Sequence, residues 1–368
     1  MQHSTFQLAT AGVQTLVPYQ PGKPISELER ELGLTEIVKL ASNENPLGPS
    51  EKVKQAIQAS FADLSRYPDG NGFALKAALS EKWGVASEQI TLGNGSNEIL
   101  ELLARAFLTT ENEVIFSQHA FAVYPLVTQA VGAIAKVIPA QHYGHDLPAM
   151  LAAITDKTRL LFIANPNNPT GTYLTEQVLS EFLAAVPEHV ICVLDEAYFE
   201  YVTKDDYPDS IAWLADTPNL VITRTFSKAY GLAGLRIGYS LSSSAMADIL
   251  NRVRQPFNNN ALALAAAEVA ISDTEYLAAT VALNNSGMQQ LTSAFATMGL
   301  SWIESLGNFV SVDVQQEAAS INSALLHKGV IVRPVANYEM PNHLRISIGT
   351  ELENDFFISA LKSVLADV

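Results

Sequence analysis

Lys228 stands in the run Thr225-Phe226-Ser227-Lys228-Ala229-Tyr230-Gly231, directly after the apolar stretch 220–223 and among small and apolar neighbours. Such surroundings desolvate an amine and lower its pKa from about 10.4 toward the nucleophilic range, where it can form a Schiff base with a carbonyl. Asp195 closes the apolar run 190–194 and Tyr198 follows three residues on. A carboxylate at the end of a buried strand is costly unless a metal, an arginine or a protonated ring nitrogen meets it. Asn168 lies in Asn165-Pro166-Asn167-Asn168-Pro169-Thr170-Gly171, a loop whose prolines fix the backbone and can hold the amide in one place. The segment Gly93-Asn94-Gly95-Ser96-Asn97-Glu98 leads into a helical pattern through Ile99, Leu102, Leu103 and Phe107. Small residues opening a helix offer unpaired N–H groups and the positive end of the dipole to an anion. It is not a dinucleotide fingerprint, because Glu98 replaces the third glycine.

Each segment also has an ordinary reading: a glycine turn with Ser96 or Asn97 as N-cap, a proline turn, a helix cap, a surface lysine. Together they ask for one ligand. It carries a phosphate for Ser96, Asn97, Thr225, Ser227 and Arg236, a carbonyl for Lys228, a ring nitrogen for Asp195, and an oxygen for Asn168 and Tyr198. Pyridoxal 5′-phosphate has all four.

The elements that must position these groups alternate helical patterns with apolar runs at 114–116, 160–164, 190–194 and 220–223. These runs lack a period of two, as expected of parallel strands covered on both faces, so the reading is an α/β fold with ligands at strand C-termini. After about residue 260, an alanine-rich helical stretch and alternating segments at 309–314, 330–332 and 344–348 predict a smaller α+β lobe. The division reads as an N-terminal arm with part of the small domain over 1–50, a large cofactor domain over 51–258 and a small C-terminal domain over 259–368. The 368 residues fit two domains at roughly 150 residues each. Lys plus Arg number 22 against 38 Asp plus Glu, a net charge of −16 that opposes a nucleic-acid surface. Cys192 is the single cysteine, so no intrachain disulfide forms, and a reducing, cytoplasmic setting is expected. Residues 1–10 lack the basic start and apolar run of a secretory signal. The apolar run at 261–271 is too short for a membrane span and is broken by Glu268. The histidines at 3, 119, 142, 145, 189, 327 and 343 are scattered, and no metal site is expected.

Nearly the whole chain resembles the fold-type I pyridoxal-phosphate-dependent aminotransferases, and within them the histidinol-phosphate aminotransferases. The resemblance rests on Pro18-Tyr19, Asn43-Glu44-Asn45-Pro46-Leu47-Gly48, Arg66-Tyr67-Pro68-Asp69, the segments at 93–98 and 165–171, Asp195-Glu196-Ala197-Tyr198, Ser227-Lys228 through Arg236, and Leu344-Arg345. It implies a large domain with a mostly parallel central sheet plus a smaller α+β domain. It further implies that Lys228 binds the cofactor covalently and moves a proton between substrate and cofactor. Asp195 then pairs with the ring nitrogen, and Asn168 and Tyr198 hydrogen-bond the phenolic oxygen. The amides of Ser96 and Asn97 hold the phosphate with Thr225, Ser227 and Arg236. Phe121 stands where many relatives have a stacking tyrosine. Tyr67 reaches the cofactor phosphate of a second subunit, which implies a homodimer with shared active sites. Tyr19, Asn43, Arg333 and Arg345 are the implied substrate residues. The implied reaction exchanges an amino group between L-histidinol phosphate and 2-oxoglutarate, giving imidazole-acetol phosphate and L-glutamate, a step of histidine biosynthesis. An aromatic amino-acid aminotransferase and an amino-acid phosphate decarboxylase on the same fold are the alternatives.

Overall fold

A computed structural model describes residues 5–19 and 22–367. Residues 1–4 of the N-terminal stretch, Gln20 and Pro21 within the expected punctuation at 18–24, and Val368 lie outside the described residues. After the short strand β1 (Val38–Lys39), the apolar runs become a seven-stranded sheet. Its strands are β2 (Ile90–Gly93), β3 (Glu113–Ser117), β4 (Ile134–Ile138), β5 (Thr158–Ala164), β6 (Ile191–Asp195), β7 (Leu220–Thr225) and β8 (Gly238–Ser242). The order is β2-β8-β7-β6-β5-β3-β4, and only β8 runs antiparallel to its neighbours.

Alternate residues of the central strands feed two cores. Leu161, Ile163, Cys192, Leu194 and Ile222 pack with the helices Phe73–Trp83 and Glu176–Ala185 on one face. Leu160, Phe162, Ile191, Val193 and Val221 pack with the helix Ser96–Phe107 on the other. Burial on both faces is why these strands read as continuous apolar runs. The register aligns Ala164 with Asp195, Asp195 with Thr223, and Gly238 with both Thr225 and Gly93. The groups read as chemical therefore share one edge of the sheet.

The C-terminal part adds β9 (Ser301–Ile303), β10 (Phe309–Asp313), β11 (Val330–Ile331), β12 (Arg333–Val335) and β13 (Met340–Ser347). Four of them form an antiparallel sheet in the order β12-β13-β10-β9, while β11 pairs in parallel with β1. The helix Glu351–Ala366 closes this lobe and starts in a capping box, where Glu353 Oε2 accepts the Thr350 N–H at 2.8 Å. The 24-residue helix Thr274–Thr297 spans both parts, with Leu277 against the first core and Leu291 and Phe295 in the small-lobe core. The expected division at 258 falls ahead of the helix Ala261–Ala270, whose Ala263, Ala266, Ala267 and Ala270 pack in the large-lobe core. Among the described residues, no helix is long and apolar enough to cross a membrane, and no group of His, Cys, Asp and Glu is placed to hold a metal.

Candidate active site

The cavity at the shared sheet edge is lined by Tyr19, Asn43, Ser96, Asn97, Phe121, Asn168, Asp195, Tyr198, Thr225, Ser227, Lys228, Arg236, Arg333 and Arg345. All the residues expected at the site line it except Tyr67. That side chain is 82% exposed and stacks on Phe257 at 4.7 Å, outside the cavity of its own chain.

One end is built to hold an anion. The helix begins at Ser96 with Gly95 as N-cap at φ 75°, so neither Ser96 nor Asn97 is the cap, and both present first-turn N–H groups. A Cβ on Gly95 would stand 2.4 Å from Arg236 Nη2, and one on Gly238 would stand 2.5 Å from the Ser96 nitrogen. Glycine at both positions lets the guanidinium and the helix start close together. Arg236 Nη1 donates to Ser227 Oγ at 3.3 Å, and the Ser227 N–H donates to Thr225 Oγ1 at 3.1 Å. Glu98 is turned away: its carboxylate accepts the Asn94 N–H at 2.6 Å and Asn258 Nδ2 at 2.6 Å.

In the middle, Lys228 Nζ donates to the Ser42 carbonyl at 3.2 Å and lies 5.7 Å from the Tyr198 ring centre. Burial and then the Arg345 charge push its amine down to about 7; Arg236 adds to this, while Glu44 and Asp195 oppose it. Asp195 is 4% exposed and accepts Tyr124 Oη–H at 2.8 Å and Thr223 Oγ1–H at 3.1 Å. Burial raises its pKa against these bonds. Its hydrogen-bond donors are neutral, so the site leaves a buried carboxylate in want of a positive partner. Asn43 Nδ2 donates to Tyr198 Oη at 2.8 Å, and burial pushes the Tyr198 hydroxyl up to about 12.

The other end is cationic. Arg345 Nη1 donates to Asn168 Oδ1 at 2.6 Å and Nη2 to the Ala41 carbonyl at 2.7 Å, while Nε is buried without a partner. Arg333 lies directly opposite Arg345 on adjacent strands, and its guanidinium is 5.7 Å from the Tyr19 ring centre. Like charges in register across a sheet repel. An anion between them removes that cost.

Three contributors escaped the sequence reading. Tyr124, stacked on Phe162 at 4.6 Å, reaches Asp195 from another element. Thr223 shares a strand face with Thr225, a signal that the period of two carries. Tyr338 enters the cavity from the turn between β12 and β13, where its carbonyl accepts from His119 Nδ1 at 2.7 Å.

A buried carboxylate awaiting a cation, a depressed lysine amine and an anion cradle are the donor set that pyridoxal phosphate requires. Residues 35–361 match the family model "Aminotransferase class I and II". The chain is 62% identical over 361 residues to histidinol-phosphate aminotransferase 2 of Pseudomonas fluorescens, covering 98% of each. It is 58% identical over 363 residues to histidinol-phosphate aminotransferase 1 of Idiomarina loihiensis, covering 99% of each. The crystal structure of histidinol-phosphate aminotransferase from Sinorhizobium meliloti with pyridoxal-5′-phosphate superposes with a TM-score of 0.91 at 31% identity, covering 97% of both chains.

Proposed function

The chain belongs to the class I and II aminotransferases, and on that premise we propose that it moves an amino group between L-histidinol phosphate and 2-oxoglutarate, yielding imidazole-acetol phosphate and L-glutamate. The observation that carries the substrate is the facing pair Arg333 and Arg345, which suits a phosphate monoester in one half-reaction and a carboxylate in the other. The names of relatives near 60% identity support the same substrate.

When bound, pyridoxal phosphate supplies an electrophilic carbonyl and a ring that accepts electrons from the substrate α-carbon. The Ser96 and Asn97 N–H groups, Thr225, Ser227 and Arg236 hold its phosphate. Asp195 would accept the ring N–H, which would answer the burial of its carboxylate. Tyr198 and Asn168 would donate to the phenolic oxygen, and Phe121 would cover a face of the ring. Lys228 Nζ, its pKa lowered to about 7, would hold the cofactor and, once released from it, would serve as base at the substrate α-carbon. Arg333 and Arg345 hold the anionic end of the substrate, with Tyr19 and Asn43 beside them.

Tyr67 is assigned to the neighbouring subunit of a homodimer. Its exposure, shared with Phe61, Leu64, Phe73 and Phe257, leaves an apolar surface suited to a second copy. Cys192, free and buried, accords with a reducing, cytoplasmic setting. The test is one half-reaction: cofactor-loaded protein receives histidinol phosphate, or separately phenylalanine, without keto acid, and cofactor absorbance is followed. Rapid conversion of the aldehyde form to the amine form by histidinol phosphate alone is expected. Conversion by phenylalanine alone would move the enzyme to aromatic amino acids.

A further inference from the structure

We propose that the ion pair between Glu196 and Arg224, on the sheet face away from the cavity, is a positioning pair that fixes the spacing between Asp195 and Thr225. The proposal rests on the reading of the cavity as a pyridoxal-phosphate site. Asp195 and Glu196 are neighbours at the end of β6, and Arg224 and Thr225 are neighbours at the end of β7. Successive residues of a strand face opposite ways. Asp195 accordingly meets Tyr124 and Thr223 on the cavity side, while Glu196 and Arg224 meet each other behind the sheet.

The back-face geometry is tightly specified. Arg224 Nε and Nη2 donate to Glu196 Oε2 at 2.9 and 2.7 Å, and Ser210 Oγ donates to Oε1 at 2.6 Å. The guanidinium lies in the corner formed by the rings of Phe199, at 3.8 Å, and Trp83, at 4.3 Å, which meet edge to face. Arg224 is 1% exposed and Glu196 is fully buried. A buried ion pair of this kind is a poor source of net stability, because apolar side chains of similar volume usually serve as well or better. What it supplies is a directional linkage between β6 and β7 just past the point where their own backbone ladder stops, while β8 still pairs with Arg224 and Thr225 on the other side. The β6–β7 register ends at Asp195 opposite Thr223, and the Glu196 N–H donates to the Thr223 carbonyl at 2.9 Å. Arg224 and Thr225 run beyond that last paired position. The side-chain pair continues the cross-strand connection there, between the residue that meets the ring nitrogen and the residue that meets the phosphate. A rigid cofactor gripped at both ends tolerates little error in that spacing.

The test compares a two-ended ligand with a one-ended one. E196L/R224M removes both charges while keeping an apolar fill, and R224K keeps the charge but loses the planar fork. Binding of pyridoxal phosphate and of inorganic phosphate to apoprotein is measured by fluorescence titration, alongside the thermal midpoint and the bound cofactor's absorbance spectrum. The expected result is a pyridoxal-phosphate affinity at least about tenfold weaker in both variants, with phosphate affinity unchanged. The absorbance spectrum shifts in parallel. Wild-type cofactor affinity and spectrum in either folded variant would overturn the proposal, as would an equal loss of phosphate affinity. Should E196L/R224M fail to fold, R224K decides by the same criteria. Failure of the unmodified protein to bind pyridoxal phosphate would instead overturn the cofactor reading.

Discussion

At Lys228 a single shift sets the working pH of the amine. Burial and the nearby Arg345 charge hold it at about 7 rather than the ordinary 10.5. Only the neutral amine attacks a carbonyl. The rate of cofactor attachment to apoprotein is therefore expected to rise about tenfold per pH unit below 7 and to level off above it. Stopped-flow absorbance across pH 5 to 10 reads this, and a rise continuing past pH 9 would mean an unshifted amine. Asp195 shows the opposite balance, with burial raising its pKa against the bonds from Tyr124 and Thr223. Tyr124→Phe removes a 2.8 Å donor to a buried carboxylate, a loss of about 1–3 kcal/mol. It moves the Asp195 pKa further up and is expected to slow the half-reaction about tenfold or more in rapid-mixing assays. A rate equal to wild type would remove Tyr124 from its role. Arg333→Ala is expected to raise KM for histidinol phosphate about 10- to 100-fold, since charge-assisted bonds are worth about 1.5–3 kcal/mol, and to raise it less for glutamate. Equal increases would place the phosphate elsewhere. Asp195 stood out because it ends an apolar run, and Lys228 because small and apolar neighbours surround it just past one. Tyr124 did not, because nothing local to it announces a partner 71 positions away.

The phosphate cradle is a property of elements, since a strand end, a turn and a helix start must meet without side chains in between. Gly95 sits at φ 75°, where an L-residue is strained, and an added Cβ would collide with Arg236 at 2.4 Å. Gly95→Ala is therefore expected to displace the guanidinium and weaken cofactor binding about tenfold or more, with about 1–3 kcal/mol lost from the fold itself. Equilibrium dialysis against pyridoxal phosphate, with a melting curve, separates the two effects; unchanged affinity would show that Arg236 does not need this approach. The loop's place before an amphipathic helix was readable from residues 93–107. Its N-cap was not, because Ser and Asn are favoured caps and only the backbone conformation singles out Gly95. Long buried strands such as β5 and β7 declared themselves by composition. The two-residue strand β1 did not, because its pairing with β11 is fixed by tertiary contact across the chain.

At the scale of the whole molecule, the alternation of helices and apolar runs announced the parallel sheet, but no local composition marks where one lobe hands over to the next. The helix Ala261–Ala270 is small enough to pack closely in the large-lobe core, and the long helix after it belongs to both. Tyr67 raises the same question of reach between subunits. It lies outside its own cavity beside Phe257, so the proposed dimer requires it to complete a neighbour's site. Two inactive variants distinguish a shared site from a self-contained one. Lys228→Ala abolishes the base, and Tyr67→Ala removes the residue assigned to the partner. In a two-fold dimer that mixes one subunit of each, one site lacks both residues and the other keeps both. Random reassociation of equal amounts places half the dimers in that mixed class, so about a quarter of all sites regain wild-type composition. Turnover of the mixture is expected to approach about a quarter of the wild-type rate, although each variant alone is nearly silent. Turnover no greater than the average of the separate variants would mean that each subunit supplies its own complete site, and Tyr67 would then be surface.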